Sequence, residues 1–137
     1  MGEVRVKVKL TNVTDEILVA RGKMQREDIR KYDADALVDT GAVQSVVPSF
    51  VAERLGLSAR RKRVVEYADG RKEAVDVTEP ITFDIDGRET DEGALVLGDE
   101  VIIGQTILEV LDLLVDCANG KVIPNPAHPD QPVVKIK

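Results

Sequence analysis

The stretch Leu37-Val38-Asp39-Thr40-Gly41-Ala42 constrains the fold of this chain more than any other. A short aliphatic run leads directly into a carboxylate, which is followed by a small hydroxyl, a glycine and an alanine. Apolar runs this short, bounded by glycine and proline, are typical of buried strands. We therefore expect Asp39 at the end of a core strand, in a turn with little water around it. An ionised carboxylate there needs hydrogen-bond donors, or a partner with which to share a proton.

Two neighbours of Asp39 can supply such donors. Thr40 carries a hydroxyl, and Gly41 lets the backbone approach closely and point its N–H at the carboxylate. A second segment, Val101-Ile102-Ile103-Gly104, has the pattern of a buried strand that ends in a tight bend.

These two segments resemble the active-site loop and its supporting motif in the retroviral-type (retropepsin-like) aspartic proteases, and the resemblance extends over about residues 4–124. It implies an all-β fold, a closed acid-protease barrel with one or two short helices. The resemblance also implies roles for individual residues. Asp39, Thr40 and Gly41 would be catalytic, Ala42 and Ile103 would contact substrate, and Ile102 and Gly104 would support the site.

A hairpin is predicted over residues 63–77, with its tip at Tyr67-Ala68-Asp69-Gly70-Arg71, because Asp-Gly favours tight hairpin turns. In retropepsins a hairpin at this place is the flap that closes over substrate. By resemblance, Tyr67, Ala68, Asp69 and Gly70 would contact the substrate. Gly70 is the only glycine of this tip, whereas the viral flaps have several, so a plain surface hairpin is the alternative.

The sequence contains a single Asp-Thr-Gly. Carboxylate-driven amide hydrolysis needs one group to accept a proton from water and a second, protonated group to polarise the carbonyl. A chain with one such loop obtains both only in an isologous homodimer, in which Asp39 faces its symmetry mate. Such a site requires no metal and no organic cofactor. We assign residues 1–124 to the protease domain and residues 125–137 to a proline-rich tail that could add a strand to the dimer interface.

The leading function is peptide-bond hydrolysis, with a peptide or protein as substrate. The first alternative is a catalytically silent module of the same fold that binds peptides or proteins. The second is a nucleic-acid or acidic-partner adaptor that uses the basic run at residues 60–63 and the basic face of the N-terminal strand. Otherwise we expect the run at 60–63 to be a solvated connector. A net charge of −6 argues against nucleic acid as a partner.

Composition suggests an ordinary globular domain. Of 137 residues, 43% are hydrophobic and only 3% aromatic, so the core must be largely aliphatic. No membrane span and no apolar N-terminal signal segment are visible in the sequence. Cys117 is the only cysteine, so we expect a reducing cytoplasm and a small buried thiol.

Periodicity predicts the remaining elements. We expect strands at residues 4–10, 17–20, 81–85, 94–97 and 132–137, with a turn at 11–15, and helices at 48–57 and 107–114. An exposed hairpin end is predicted at 21–35, and hairpin turns are predicted at Asn119-Gly120 and at Asp86-Gly87, where 94–97 would be the returning strand. His128, the only histidine, lies between prolines in a segment expected to be mobile, so we assign it no catalytic role.

Overall fold

The computed structural model describes residues 2–137, and the fold is built on one curled, half-barrel sheet of nine strands. The strands lie in the order β4-β5-β8-β3-β9-β2-β1-β6-β7, and β10 and β11 form a separate hairpin. The strands are β1 (Arg5–Asn12), β2 (Lys31–Val38), β3 (Val46–Val47), β4 (Ala59–Glu66), β5 (Lys72–Thr78), β6 (Ile81–Ile85), β7 (Arg88–Glu92), β8 (Leu95–Val96), β9 (Ile102–Ile103), β10 (Leu113–Asp116) and β11 (Lys121–Pro124).

Three short α-helices accompany the sheet, one more than the upper end of the expected range. They are α1 (Val13–Ala20), α2 (Ser49–Arg54) and α3 (Gln105–Leu111). The predicted helices at 48–57 and 107–114 are confirmed as α2 and α3, and α3 ends earlier because Asp112 adopts a left-handed backbone conformation, with φ of 57°. Within the described chain, every helix is too short or too polar to span a bilayer.

The third helix, α1, corrects the strand predicted at residues 17–20. The side chain of Asn12 accepts a hydrogen bond from the N–H of Asp15, which caps the start of a helix where the sequence suggested a turn. This cap outweighs the strand preference of the aliphatic residues that follow. The Arg30 guanidinium donates two hydrogen bonds of 2.9 Å to the Asp15 carboxylate, and the Arg30 backbone N–H donates a third of 3.0 Å. These bonds tie α1 to the start of β2. The hydrogen bond from Arg30 also lowers the pKa of Asp15.

Four further expectations are wrong in part or whole. Residues 21–35 are not a hairpin end, since they contain a 3-10 turn at Arg26–Asp28 and most of β2. The return strand of the hairpin at 81–85 is β7, whereas β8 pairs with β3 and β5. The basic run at 60–63 lies inside β4, not in a connector. Residues 132–137 form no strand, because no neighbouring strand in this chain pairs with them.

The core consists of two clusters of aliphatic side chains. The main cluster fills the curl of the sheet around Phe83, which is fully buried, and includes the inward side chains of β1, β2, β6 and α3. A smaller cluster of Val46, Val75, Val77 and Leu95 packs where the β4–β5 hairpin joins the rest of the sheet. Burial of each large aliphatic side chain contributes about 1.5–3 kcal/mol. The small cluster therefore fixes the root of the hairpin while leaving its tip free.

Cys117 is exposed, which contradicts the expectation of a buried thiol. It follows β10 at the turn of the β10–β11 hairpin, where Asn119 and Asp116 form hydrogen bonds with each other. Residues 117–120 of this turn are all exposed, so the turn lies at the protein surface although the strands pack on the main core.

Candidate active site

Asp39 lies immediately after β2, at the surface of the protomer. Its backbone N–H donates to the carbonyl of Ile103 at 3.0 Å, because β2 and β9 run parallel and end together. The side chain of Asp39 is exposed, and residues Thr40 and Gly41 are exposed as well, so the expectation that little water surrounds Asp39 does not hold within one protomer. The strand end and the turn are as predicted. The exposure arises because the loop projects from the open edge of the curl.

The loop holds the Asp39 carboxylate with its own backbone. The N–H of Gly41 donates to Oδ1 at 2.9 Å, and a side chain at position 41 would place its Cβ only 3.2 Å from that oxygen. Glycine is therefore the residue that fits this contact without displacing the carboxylate. The N–H of Ala42 bonds the carbonyl of Asp39 at 3.1 Å, which closes the turn.

Gly104 is the point at which the second segment packs on this loop. A Cβ there would lie 2.8 Å from the carbonyl carbon of Gln44 and 2.9 Å from the carbonyl oxygen of Ala42. The N–H of Gln105 also donates to that oxygen of Ala42, at 2.7 Å. The Asp39 loop and the start of α3 are thus one packed unit, which requires a residue without a side chain at position 104.

The two isoleucines before Gly104 point to different places. Ile103 is fully buried in the main core, so within the protomer its side chain is closed off from the surface. Ile102 is half-buried and packs against the small cluster at the root of the hairpin, where its strand partner is Val46. Ile102 is therefore the one of the pair that faces the space between hairpin and loop.

The predicted hairpin is confirmed as β4 and β5, with Tyr67-Ala68-Asp69-Gly70-Arg71 as its tip. Gly70 has φ of 89°, a conformation that glycine adopts without strain. The tip is held by its own contacts. The Tyr67 hydroxyl donates to Glu73 at 2.5 Å, the Arg71 guanidinium lies 4.8 Å from the Tyr67 ring centre, and Arg71 also bonds Asp69. The hydrogen bond to Glu73 raises the pKa of Tyr67, while those from Arg71 lower the pKa of Asp69.

Sequence analysis missed Ser45 and Gln44. The Ser45 hydroxyl is fully buried and accepts from the N–H of Gly104 at 3.0 Å. Gln44 bridges two elements, since its Nε2 donates to the carbonyl of Gly93 and its Oε1 accepts from Arg63. The available signal was the position of these two polar residues between the Asp39 loop and the apolar run Val46-Val47.

His128 does not lie in a free segment, contrary to expectation. Its Nδ1 is 2.6 Å from the Asp112 carboxylate, which also accepts from the Asn125 side chain and from the N–H of Val133. The buried Arg88 donates to the carbonyls of Leu111, Asp112 and His128. This cluster fastens the tail across the end of α3. Among residues 2–137, no group of three or more histidine, cysteine or acidic side chains is arranged to hold a metal.

Three features occur together here: a carboxylate held at the end of a β-strand, a bend of two isoleucines and a glycine packed against it, and a β-hairpin beside it. This combination defines the class of retropepsin-like aspartic proteases. The family model described as "gag-polyprotein putative aspartyl protease" matches residues 27–110, more than half of the chain. The chain therefore belongs to this family of retropepsin-like aspartic proteases, and its expected all-β acid-protease fold is confirmed.

Solved structures of similar fold include the retroviral protease-like domain of Ddi1 from Leishmania major, at 15% identity and a TM-score of 0.55, covering 98% of this chain and 92% of that one. The simian foamy virus (mac) protease is 16% identical, with a TM-score of 0.48 and coverage of 76% and 90%. The EIAV protease, solved with the inhibitor HBY-793, is 21% identical, with a TM-score of 0.48 and coverage of 78% and 86%. No curated protein matches the chain.

Proposed function

We propose that this protein is an aspartic endopeptidase that hydrolyses peptide bonds as a homodimer. The observation that carries the proposal is the surface position of Asp39, Thr40 and Gly41, with the carboxylate held by the N–H of Gly41 at 2.9 Å. A single protomer offers one such loop, open to solvent. A second copy placed on a two-fold axis at this loop would complete the pair of carboxylates and exclude water from it.

In the proposed mechanism, the two copies of Asp39 share one proton. The ionised carboxylate accepts a proton from a water molecule as that water attacks the peptide carbonyl, and the protonated one donates a hydrogen bond to the carbonyl oxygen. A proton is then transferred to the amide nitrogen as the carbon–nitrogen bond breaks, which yields a carboxylate and an amine. Thr40 would bond across the axis and hold the two loops in register.

The β4–β5 hairpin serves as the flap in this proposal. An extended peptide would lie between the hairpin and the Asp39 loop, with alternating side chains in pockets. Ala42 and Ile102 would form the wall below it, and the hairpin tip, Tyr67 to Gly70, would lie above. Ile103 would support that wall from within the core, because its side chain is fully buried. A reducing cytoplasm is the proposed location, since the only cysteine cannot form an intrachain disulfide.

Digestion of a peptide library over a pH series tests the proposal, with the Asp39→Asn protein as control. Asparagine matches aspartate in shape but cannot act as a base, so cleavage by wild type should vanish in this variant. Residual activity within about tenfold of wild type, about 1.4 kcal/mol of barrier, would show that Asp39 is not the catalytic group.

A peptide-binding module without turnover is the second candidate. The flap tip favours this candidate, because its polar side chains already bond one another: Tyr67 with Glu73, and Arg71 with Asp69. Gly70 is then the one residue of the tip that gives its backbone conformational freedom. A statine peptide, which mimics the tetrahedral intermediate, separates the two functions. Strong thermal stabilisation by it together with cleavage of the matching peptide supports the endopeptidase. Binding of ordinary peptides without any cleavage supports the module.

A further inference from the structure

The basic run of β4 is divided between the two faces of the flap. Directly opposed residues of an antiparallel pair lie on the same face, and Arg61 and Arg63 oppose the buried Val77 and Val75. Lys62 opposes Asp76 on the other face, where its Nζ is 2.7 Å from the carboxylate. The lysine charge is therefore compensated on the outer face, whereas the two arginines belong to the inner face.

Arg63 joins the flap to the segment that follows Asp39. Its guanidinium donates to Oε1 of Gln44 at 2.7 Å, and Nε2 of Gln44 donates to the carbonyl of Gly93 at 3.2 Å. The backbone of Gln44 packs directly on Gly104, so this contact is anchored to the active-site unit. The amide oxygen of Gln44 is neutral, and it orients the guanidinium without compensating its charge.

A cavity of about 190 Å³ lies beside this contact, and we call it the arginine pocket. Its lining includes Arg60, Arg61, Arg63, Gln44 and Glu92. None of the three arginines forms an ion pair with a carboxylate among residues 2–137. The one acid of the lining, Glu92, accepts instead from the Thr106 hydroxyl. The lining thus brings together three exposed arginines and one carboxyl group, and Thr106 already binds that carboxyl group.

We propose that the arginine pocket is a substrate subsite that binds an acidic side chain, glutamate or aspartate, of an extended peptide. The inference rests on the proposed binding of a peptide between flap and loop, and it adds the chemical class of substrate. A guanidinium presents paired N–H donors that match the two oxygens of a carboxylate. The volume suits a single side chain, and the root of the flap is where a neighbouring substrate residue would extend.

A peptide fits these observations better than a nucleic acid. The protein carries a net charge of −6, so a long polyanion would be repelled by most of its surface. The pocket lining contains no aromatic side chain on which a base could stack. The pocket is also small and local, which suits one carboxylate and not a run of phosphates.

The test measures binding to the Asp39→Asn protein, so that it does not depend on hydrolysis. Peptides are taken in pairs that differ only by glutamate or glutamine at one position, scanned along an extended octapeptide series. At one position, glutamate should bind about tenfold more tightly than glutamine, and added salt should weaken that preference. Arg63→Gln in the same background should abolish the preference, and Arg63→Lys should retain part of it.

Lys62→Gln is the matched control, because it removes the same charge from the neighbouring residue on the outer face. It should leave the glutamate preference intact. If Arg63→Gln and Lys62→Gln lost the glutamate preference equally, the preference would be a general charge effect and the proposed subsite would be wrong. Equal affinity for glutamate and glutamine at every position, or no binding of any peptide, would also overturn it. So would tighter, Arg63-dependent binding of a single-stranded oligonucleotide.

The same experiment separates this inference from the proposed function. A glutamate preference in the Asp39→Asn protein without cleavage by wild type would retain the pocket and reject the endopeptidase. Cleavage of neutral peptides without a glutamate preference would retain the endopeptidase and reject the pocket. Arg61→Gln provides a second variant of the same face if Arg63→Gln does not fold, which thermal unfolding would show.

Discussion

The buried hydroxyl oxygen of Ser45 accepts a hydrogen bond from the N–H of Gly104 at 3.0 Å. This bond joins the segment after Asp39 to the bend that precedes α3, so the two halves of the site are held by a side chain as well as by packing. Without it, the N–H of Gly104 would remain buried and unpaired.

Ser45→Ala should therefore lower the free energy of unfolding by about 1–3 kcal/mol, the usual cost of an unpaired buried donor. Peptide hydrolysis should also fall, because the position of the Asp39 loop would be less well defined. Urea unfolding and peptide cleavage measure the two effects. Ser49→Ala, at the exposed first residue of α2, is the matched control and should change little. Indistinguishable results for the two variants would show that this bond does not support the site.

Glu92 should destabilise the protein at neutral pH. Burial is the main cause that raises the pKa of this carboxyl group, while the hydrogen bond from Thr106 partly opposes the shift. A carboxyl group whose pKa is raised by folding favours the folded state most at low pH, and that contribution fades as pH rises through the raised value. Glu92→Gln, which stays neutral, should thus be more stable than wild type at pH 7, by about 1 kcal/mol, with the gain shrinking towards pH 4.

Unfolding by urea between pH 4 and 8 measures this effect. Exposed Glu53 supplies the control, because Glu53→Gln makes the same substitution at a residue in contact with solvent. A constant difference between Glu92→Gln and wild type across the range would show that the charge of Glu92 is not the cause.

Arg88 should hold the tail to the body of the protein. Its guanidinium is buried and donates to two carbonyls at the end of α3 and to that of His128 in the tail. Arg88→Met leaves these acceptors without their donor, so the free energy of unfolding should fall by about 2–3 kcal/mol. Residues 125–137 should also be cleaved faster in limited proteolysis, followed by mass spectrometry. Arg26→Met, at an exposed turn, is the control, and equal cleavage rates in both variants would contradict this role.

Much of the fold could be predicted from local sequence signals. Asp69-Gly70, Asp86-Gly87 and Asn119-Gly120 each mark a hairpin that the structure contains, because these pairs suit tight turns. Helices α2 and α3 were visible from the spacing of their apolar residues. The loop at Asp39 was identified from its own six residues and the bend at Gly104.

The failures have physical causes of two kinds. Helix α1 was missed because one capping bond from Asn12 decides the structure of residues that favour a strand by composition. Other failures depend on which distant elements cover or bind a residue, and short-range sequence patterns do not contain that information. These are the exposure of Asp39 and Cys117 and the attachment of His128. Gln44 and Ser45 were overlooked for the same reason, since their partners Arg63, Gly93 and Gly104 lie far along the chain.

The central claim is that two copies of Asp39 form one active site, and subunit mixing tests it most directly. Wild-type and Asp39→Asn proteins are combined in varied ratio at constant total concentration, above the dimer dissociation constant, and peptide hydrolysis is measured after exchange. If each site needs both carboxylates, activity should fall as the square of the wild-type fraction, to about one quarter at an equal mixture. Mixing with Asp99→Asn, an exposed surface variant, should leave activity unchanged. A linear fall with Asp39→Asn, to about one half, would contradict the shared site.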